Sequence, residues 1–360
     1  MPVACEAGCE AGHGPMRVLS FGSPSGRRDQ MTFCIGRREF MSLLGAPAAS
    51  WPFAARAQQP TMPVIGFLNS QSPDAIVNRV RAFREGLKDS GYVERENVAI
   101  EYRFADNQLD RLPALAADLV RRQVVVIIAG NTSSALAAKA VTTTIPILFN
   151  VAEDPVKLGL VASLARPGGN LTGIYSLIGE LVAKLLELLR ELVPGATRVA
   201  ALVNPTGPNA ESALRDMETA SRAMGMQIKV LNASTSGEIN AAFATFVRER
   251  PEALFVSPDG LFNTRRVQLA HLTTRHAVPA ISFAREFVEA GGLMSYGANN
   301  LERYRHVGIY TGRILKGEKP ADMPVIQPTK FELVINLPTA RTIGVAVPPT
   351  VLAQADEVIE

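Results

Sequence analysis

The chain has 360 residues, too many for one compact core, so two lobes are expected. It is 47% hydrophobic and carries 37 basic against 34 acidic residues, which excludes disorder for most of its length. The first 57 residues hold six of the basic and four of the acidic side chains, leaving 31 and 30 beyond them, so the rest carries no field for nucleic acid or anionic lipid.

The opening stretch differs in composition from the rest of the chain. It holds all three cysteines (Cys5, Cys9, Cys34) and the only tryptophan, Trp51, so the remainder has no thiol to oxidise, metallate or use as a nucleophile, which suits an oxidising compartment. Arg37 and Arg38 form a positive segment ahead of a moderately apolar run, Phe40 to Ala55, broken by Gly45, Pro47 and Pro52 and closed by Ala55-Arg56-Ala57, an A-x-A cleavage pattern. The run is too short and broken for a membrane span. Residues 1–57 are therefore expected to be an upstream extension plus an export signal of twin-arginine-like or general secretory type, starting at Met31 and cleaved after Ala57.

From Met62 strands and helices alternate. Val64 to Leu68 reads as a strand, Val77 to Tyr92 as a helix with apolar positions 77, 80, 83 and 87 stopping at Gly91, and Asn97 to Phe104 as a strand. Leu109 to Arg122 is expected to be helical, Val124 to Ala129 a buried parallel strand, Gly130 to Ser134 the opening of an Ala-rich helix, and Ile145 to Phe149 a strand. After a turn cluster at Arg166 to Asn170 the alternation restarts. Helices are expected at Glu180 to Leu192, Ala210 to Met224, Glu238 to Arg250 and Thr264 to His276, with strands at Val199 to Val203, Gln227 to Leu231, Ala253 to Val256 and Ala280 to Phe283. A helix over Leu301 to Lys316, an extended link from Pro320 to Pro328 and a strand at Phe331 to Asn336 complete the reading. The fold class is α/β: two Rossmann-like lobes, one of residues 62–174 plus 299–328 and the other of 175–298 plus 329–360, joined by a multi-strand hinge.

In open α/β sheets ligands bind at the carboxyl ends of the strands. Here those ends carry Asn69, Ser70, Thr132, Ser133, Asn150, Glu153, Asp154, Asn204, Asn209, Asp259, Asn263 and Ser282. Two such sets face to face would line a cleft with neutral hydrogen-bonding groups and a few carboxylates, suited to a small polar molecule. Thr132 and Ser133 open a helix, where they either hold a ligand carboxylate or cap that helix. Asp259 or Glu153 either pairs with a ligand ammonium or serves a turn.

Catalytic patterns are thin. No HExxH, GxSxG or Walker sequence occurs, and the first strand-to-helix turn lacks the glycines of a dinucleotide loop. His271, His276 and His306 fall in helical, Arg-containing stretches. No cofactor and no metal site are expected.

The segments MPVIGFLNS (62–70), FREGLKDSGYVERENVAIEYRFADNQLDRLPALAADLV (83–120), PGGNLTGI (167–174), GRILKGEKPADMPV and FELVINL resemble the ABC transporter substrate-binding protein family, similar in turn to tryptophan- and tyrosine-binding proteins of type I periplasmic binding fold. The resemblance runs from Arg37 to Glu360. It implies a periplasmic binding protein, not an enzyme, that closes two lobes on a small molecule and delivers it to a membrane permease. It implies cleft loops at Asn69 to Ser72, Gly130 to Ser133, Asn150 to Asp154, Asn204 to Asn209, Asp259 and Tyr296, which adds Ser72 and Tyr296 to the candidates. Phe149, Phe262, Phe283 and Tyr296 are the aromatic rings near those loops and read more simply as packing, which argues against an aromatic amino acid as cargo. An enzyme on the same fold would need a cofactor loop or an activated nucleophile, and a repressor core would bring a DNA-binding helix-turn-helix in place of the export signal.

Overall fold

The computed structural model describes residues 62–176, 178–208, 210–328 and 330–360. The export-signal assignment (1–57) and Asn209 lie outside them.

The first sheet has five parallel strands, β1 (Val64–Asn69), β2 (Ala99–Phe104), β3 (Val126–Ala129), β4 (Ile147–Val151) and β5 (Leu171–Tyr175), in the order β2-β1-β3-β4-β5. Successive side chains point to opposite faces and both faces are apolar. Ile65, Phe67, Val126 and Ile128 pack under α1 (Val77–Asp89) and α10 (Asn300–Leu315), while Leu68, Ile127, Ala129 and Phe149 pack under α2 (Leu112–Arg121) and α3 (Thr132–Val141). Helices α1 and α10 cross where glycines meet. A Cβ on Gly86 would lie 1.9 Å from the Arg305 carbonyl oxygen, and one on Gly308 would lie 2.2 Å from that of Phe83.

The second sheet has seven strands: β6 (Arg198–Val203), β7 (Gln227–Asn232), β8 (Ala253–Val256), β9 (Ala280–Ser282), β10 (Met294–Ala298), β11 (Phe331–Asn336) and β12 (Glu357–Ile359), ordered β12-β11-β10-β9-β8-β6-β7. Only β10 and β11 pair antiparallel. Val199, Ala201 and Val203 face a core under α4 (Ile178–Leu192) and α5 (Ala210–Ala223); Ala200 and Leu202 face one under α6 (Ser236–Glu249), α8 (Arg266–Arg275) and α9 (Arg285–Glu289). The short helix α7 (Gly260–Thr264) precedes α8, and α11 (Leu337–Thr342) and α12 (Pro349–Leu352) follow β11.

Among the described residues the chain passes between the sheets three times: from β5 into α4, from β10 into α10, and from a stretch ending at Ile326 into β11. Ile326 bridges beside β5, its N–H donating to the Gly173 carbonyl (2.9 Å) and its carbonyl accepting from the Tyr175 N–H (3.0 Å).

The sequence reading missed some elements and placed others differently. Strand β5 sits where only a turn cluster and a restart were expected. Gly173 leaves no room for a side chain there, since a Cβ would lie 2.2 Å from the Phe149 carbonyl oxygen, and this tight pairing hides an apolar strand behind turn residues. Strands β10 and β12 were not foreseen. The helix expected over Thr264 to His276 is α8 (Arg266–Arg275), and the short helix α7 before it, set off at Arg265, was not foreseen. Val77, assigned to the apolar stripe of α1, is 62% exposed, and Ile76 takes its place in the core. Among the described residues no helix is long and apolar enough to cross a membrane.

Candidate functional site

The loops after β1, β3 and β4 face those after β6, β7 and β8 across a cavity of about 160 Å³, with the start of α10 at its edge. An engineered cavity of about 150 Å³ admits benzene, so this gap has room for a small molecule. Ser70, Thr132, Ser133, Asn150, Asn204, Asp259 and Asn263 line it. Asn69 is fully buried beneath the rim and orients it.

Other candidates are placed elsewhere. Ser72 precedes a 3₁₀ turn (Pro73–Ile76) and lies outside the lining. Asp154 accepts from the Val156 N–H at 2.9 Å, closing its own loop. Ser282 accepts from the Ala284 N–H at 3.3 Å, and Tyr296 packs its ring 6.1 Å from that of Phe331 within the second sheet's core. Glu153 accepts from the Ser212 hydroxyl of α5 at 3.4 Å. Burial raises the Glu153 pKa, and the Ser212 bond only partly opposes it.

On the first rim Asn131, not Thr132 or Ser133, caps α3: its Oδ1 accepts from the Ser134 N–H at 3.0 Å. Its Nδ2 donates to Asn69 Oδ1 and to Ser70 Oγ, both at 2.8 Å. The cap therefore ties two loops together and points the positive end of α3 at the cavity. Tyr304 of α10 completes this floor, donating its hydroxyl to the Gly130 carbonyl at 2.8 Å and accepting from Asn69 Nδ2 at 3.3 Å.

On the second rim Asn204 is the hub. Its Oδ1 accepts from the Thr206 hydroxyl (2.8 Å) and the Ser234 hydroxyl (2.9 Å), and its Nδ2 donates to Asp259 Oδ1 at 3.0 Å. Asp259 also caps α7, accepting from the Leu261 N–H at 2.8 Å. Burial raises the Asp259 pKa, and the bonds from Asn204 and the α7 backbone recover only part of that. Gly207 leaves the space beside the second carboxylate oxygen, since a Cβ there would come within 2.4 Å of it.

Two buried arginines were not foreseen. Arg303 is 8% exposed; its guanidinium donates to Asn300 Oδ1 (3.3 Å), to Asn150 Oδ1 and to the Val151 carbonyl (3.2 Å), and its Nε has no partner. All these acceptors are neutral, and burial pulls the Arg303 pKa down to about 10. Arg79 of α1 is instead paired across the lobes. It donates through Nε to Glu286 Oε1 of α9 at 2.7 Å, through Nη2 to Asn263 Oδ1 at 3.0 Å, and through Nη1 to Gln71 Oε1 at 3.3 Å. Burial works against the charge of both Arg79 and Glu286, but their mutual attraction prevails, raising the first pKa and lowering the second. The sequence did hold a signal: Arg79 continues the i, i+4 row Phe83–Leu87 and Arg303 the row Val307–Thr311, both facing inward. Arginines at the ends of such rows point into the structure, where isolated arginines on a helix read as solvated.

The two rims touch directly. Gln71 Nε2 donates to the Gly260 carbonyl at 3.0 Å, and Asn107 Nδ2 donates to the Thr264 hydroxyl at 3.1 Å. Among the described residues no cluster of three or more His, Cys, Asp or Glu side chains is placed to hold a metal ion.

A family model described as ABC transporter substrate binding protein matches residues 63–359. The chain belongs to that family. Its members are binding proteins, and the two-lobed α/β fold agrees with this membership. The chain is 27% identical over 267 residues to a tyrosine-binding protein of Clostridioides difficile (strain R20291), covering 73% of this chain and 75% of that protein. Its fold is similar to an ABC domain from Streptococcus pneumonia solved in complex with L-Trp, with TM-score 0.75 and 23% identity over 82% of this chain and 99% of that one. It is also similar to the ligand-free, open structure of a substrate binding protein with adhesive properties from Clostridium difficile, with TM-score 0.59 and 26% identity over the same shares.

Proposed function

We propose that the protein captures a free α-amino acid in the periplasm and delivers it to the transmembrane permease of an ABC importer. The observation that carries this reading is the pairing of opposites across the cavity: a buried guanidinium, Arg303, with only neutral partners on one side, and a buried carboxyl, Asp259, on the other. A ligand carboxylate at Arg303 and the α3 N-terminus, with its ammonium at Asp259, supplies both missing charges. Leu109, Pro208, Leu261 and Phe283 contribute apolar lining for a side chain. A relative named for tyrosine binding and a fold neighbour complexed with L-Trp support the same class.

On this reading residues 62–174 with 299–328 and residues 175–298 with 329–360 move as two rigid lobes about the three crossings, and Arg37-Arg38 to Ala57 direct export. Calorimetric titration with the proteinogenic amino acids, each beside its deaminated and its decarboxylated analogue, tests the ligand class. The expected result is one-to-one binding of at least one amino acid and none of its two analogues. Preference for a neutral sugar or for a deaminated acid refutes it.

A further inference from the structure

Between the lobes one carboxylate touches both the lobe-to-lobe ion pair and the support of the cavity's arginine. Glu286 of α9 pairs with Arg79 of α1 (Nη2–Oε1 2.6 Å), and the side chains of the pair are only 10% and 12% exposed. The same carboxylate accepts from Asn300 Nδ2, 3.4 Å to each oxygen. This fixes the Asn300 amide so that its Oδ1 faces Arg303 Nη1, 3.3 Å away. Asn300 is the first residue of α10, just past the second crossing, and Glu286 belongs to the second sheet's helices. With the rims in contact, this one carboxylate holds both Arg79 and Asn300.

We propose that Glu286 is a positioning residue that couples lobe closure to the presentation of Arg303. Its arrival closes the ion pair with Arg79 and, through the Asn300 amide, sets the guanidinium that faces the cavity. An open protein then holds Arg303 loosely, and a closed one holds it ready for an anionic group. This rests on the ligand reading only for the identity of that group; the coupling itself is a property of the ligand-free protein.

The test uses Glu286→Ala and the exchanged pair Arg79→Glu with Glu286→Arg, both without ligand. Small-angle scattering reads lobe closure, and the exchange rate of the Arg303 Nη–H groups by NMR, assigned with Arg303→Lys, reads its positioning. Because the pair lies between lobes and not within a core, opening lets water reach Arg79 and Glu286→Ala stays folded. It is expected to scatter as an open form with Arg303 exchange at least about tenfold faster, the loss matching a hydrogen bond to a charged group. The exchanged pair restores the attraction, so it is expected to scatter as wild type. An arginine at 286, however, forces the Asn300 amide to turn its oxygen away from Arg303, so the fast exchange persists. Closed scattering with wild-type exchange in Glu286→Ala, or recovery of both readouts in the exchanged pair, overturns the coupling. If wild type binds no amino acid while these results hold, the ligand class fails and the coupling stands.

Discussion

Replacing Arg303 by glutamine separates folding from binding. Holding a buried guanidinium whose pKa has fallen from 12.5 to about 10 costs about 3 kcal/mol, at about 1.4 kcal/mol per tenfold change in protonation equilibrium. Glutamine removes that cost but serves at most one or two of the three acceptors, Asn150 Oδ1, Asn300 Oδ1 and the Val151 carbonyl. Each abandoned acceptor costs about 1–3 kcal/mol when dry and less at the edge of a cavity that admits water. The terms nearly cancel, so the melting temperature in differential scanning calorimetry is expected to move by no more than about 4 °C. Binding has no such cancellation. Losing one partner of a desolvated charge pair costs about 2–5 kcal/mol, a rise in Kd of about 30- to 4000-fold for the amino acid that wild type binds, measured by titration calorimetry. A Kd within about threefold of wild type refutes the role of Arg303.

Asp259→Asn keeps the α7 cap, because asparagine caps as well as aspartate, and removes only the charge; it is expected to weaken amino-acid binding at least about tenfold in the same titration, and an unchanged Kd refutes the pairing with the ligand ammonium. Glu153 has a folded-state pKa above its ordinary 4.5, so folding binds its proton more tightly and its ionisation destabilises the fold as pH rises past that value. Glu153→Gln is therefore expected to raise the melting temperature at pH 7, with the gain vanishing below 4.5; an equal gain at both pH values contradicts the assignment. Gly86→Ala places a methyl 1.9 Å from the Arg305 carbonyl oxygen, a backbone clash that α1 and α10 relieve only by separating. It is expected to destabilise by about 1–3 kcal/mol or more in urea unfolding, and an unchanged midpoint denies the close crossing.

The alternation of apolar strands and amphipathic helices was legible because each strand is buried on both faces, which leaves a continuous hydrophobic run such as Val126–Ala129. The rim residues Ser70, Thr132, Asn150, Asn204 and Asp259 were legible for a topological reason: they end strands whose carboxyl edges point one way. What escaped depends on pairing across long separations. Strand β5 is marked by its fit against Phe149, β10 by an antiparallel partner some forty residues on, and Tyr296 by the ring it packs against. The division of labour at the α3 N-terminus also escaped. Three adjacent polar residues can cap, and only the direction of the Asn131 side chain shows that it does so, freeing Thr132 and Ser133 to line the cavity. The arginines were hidden by the habit of reading helix charges as solvated. Each lies one turn beyond an inward row, where its length carries the charge to the gap.

The three passages of the chain impose an order on biosynthesis. Tyr304, Val307, Tyr310 and Ile314, which cover one face of the first sheet, and Ile326, which flanks β5, are made after the second lobe is nearly complete. A nascent chain that stops short of them has only α1 on that face of the first sheet, and the apolar surface that α10 covers stays exposed. The lobe nearest the amino terminus thus stays unfinished until Ile326 is made, and the second sheet still waits for β11 and β12, so a chain truncated near residue 300 should fail as a whole and not leave one working half.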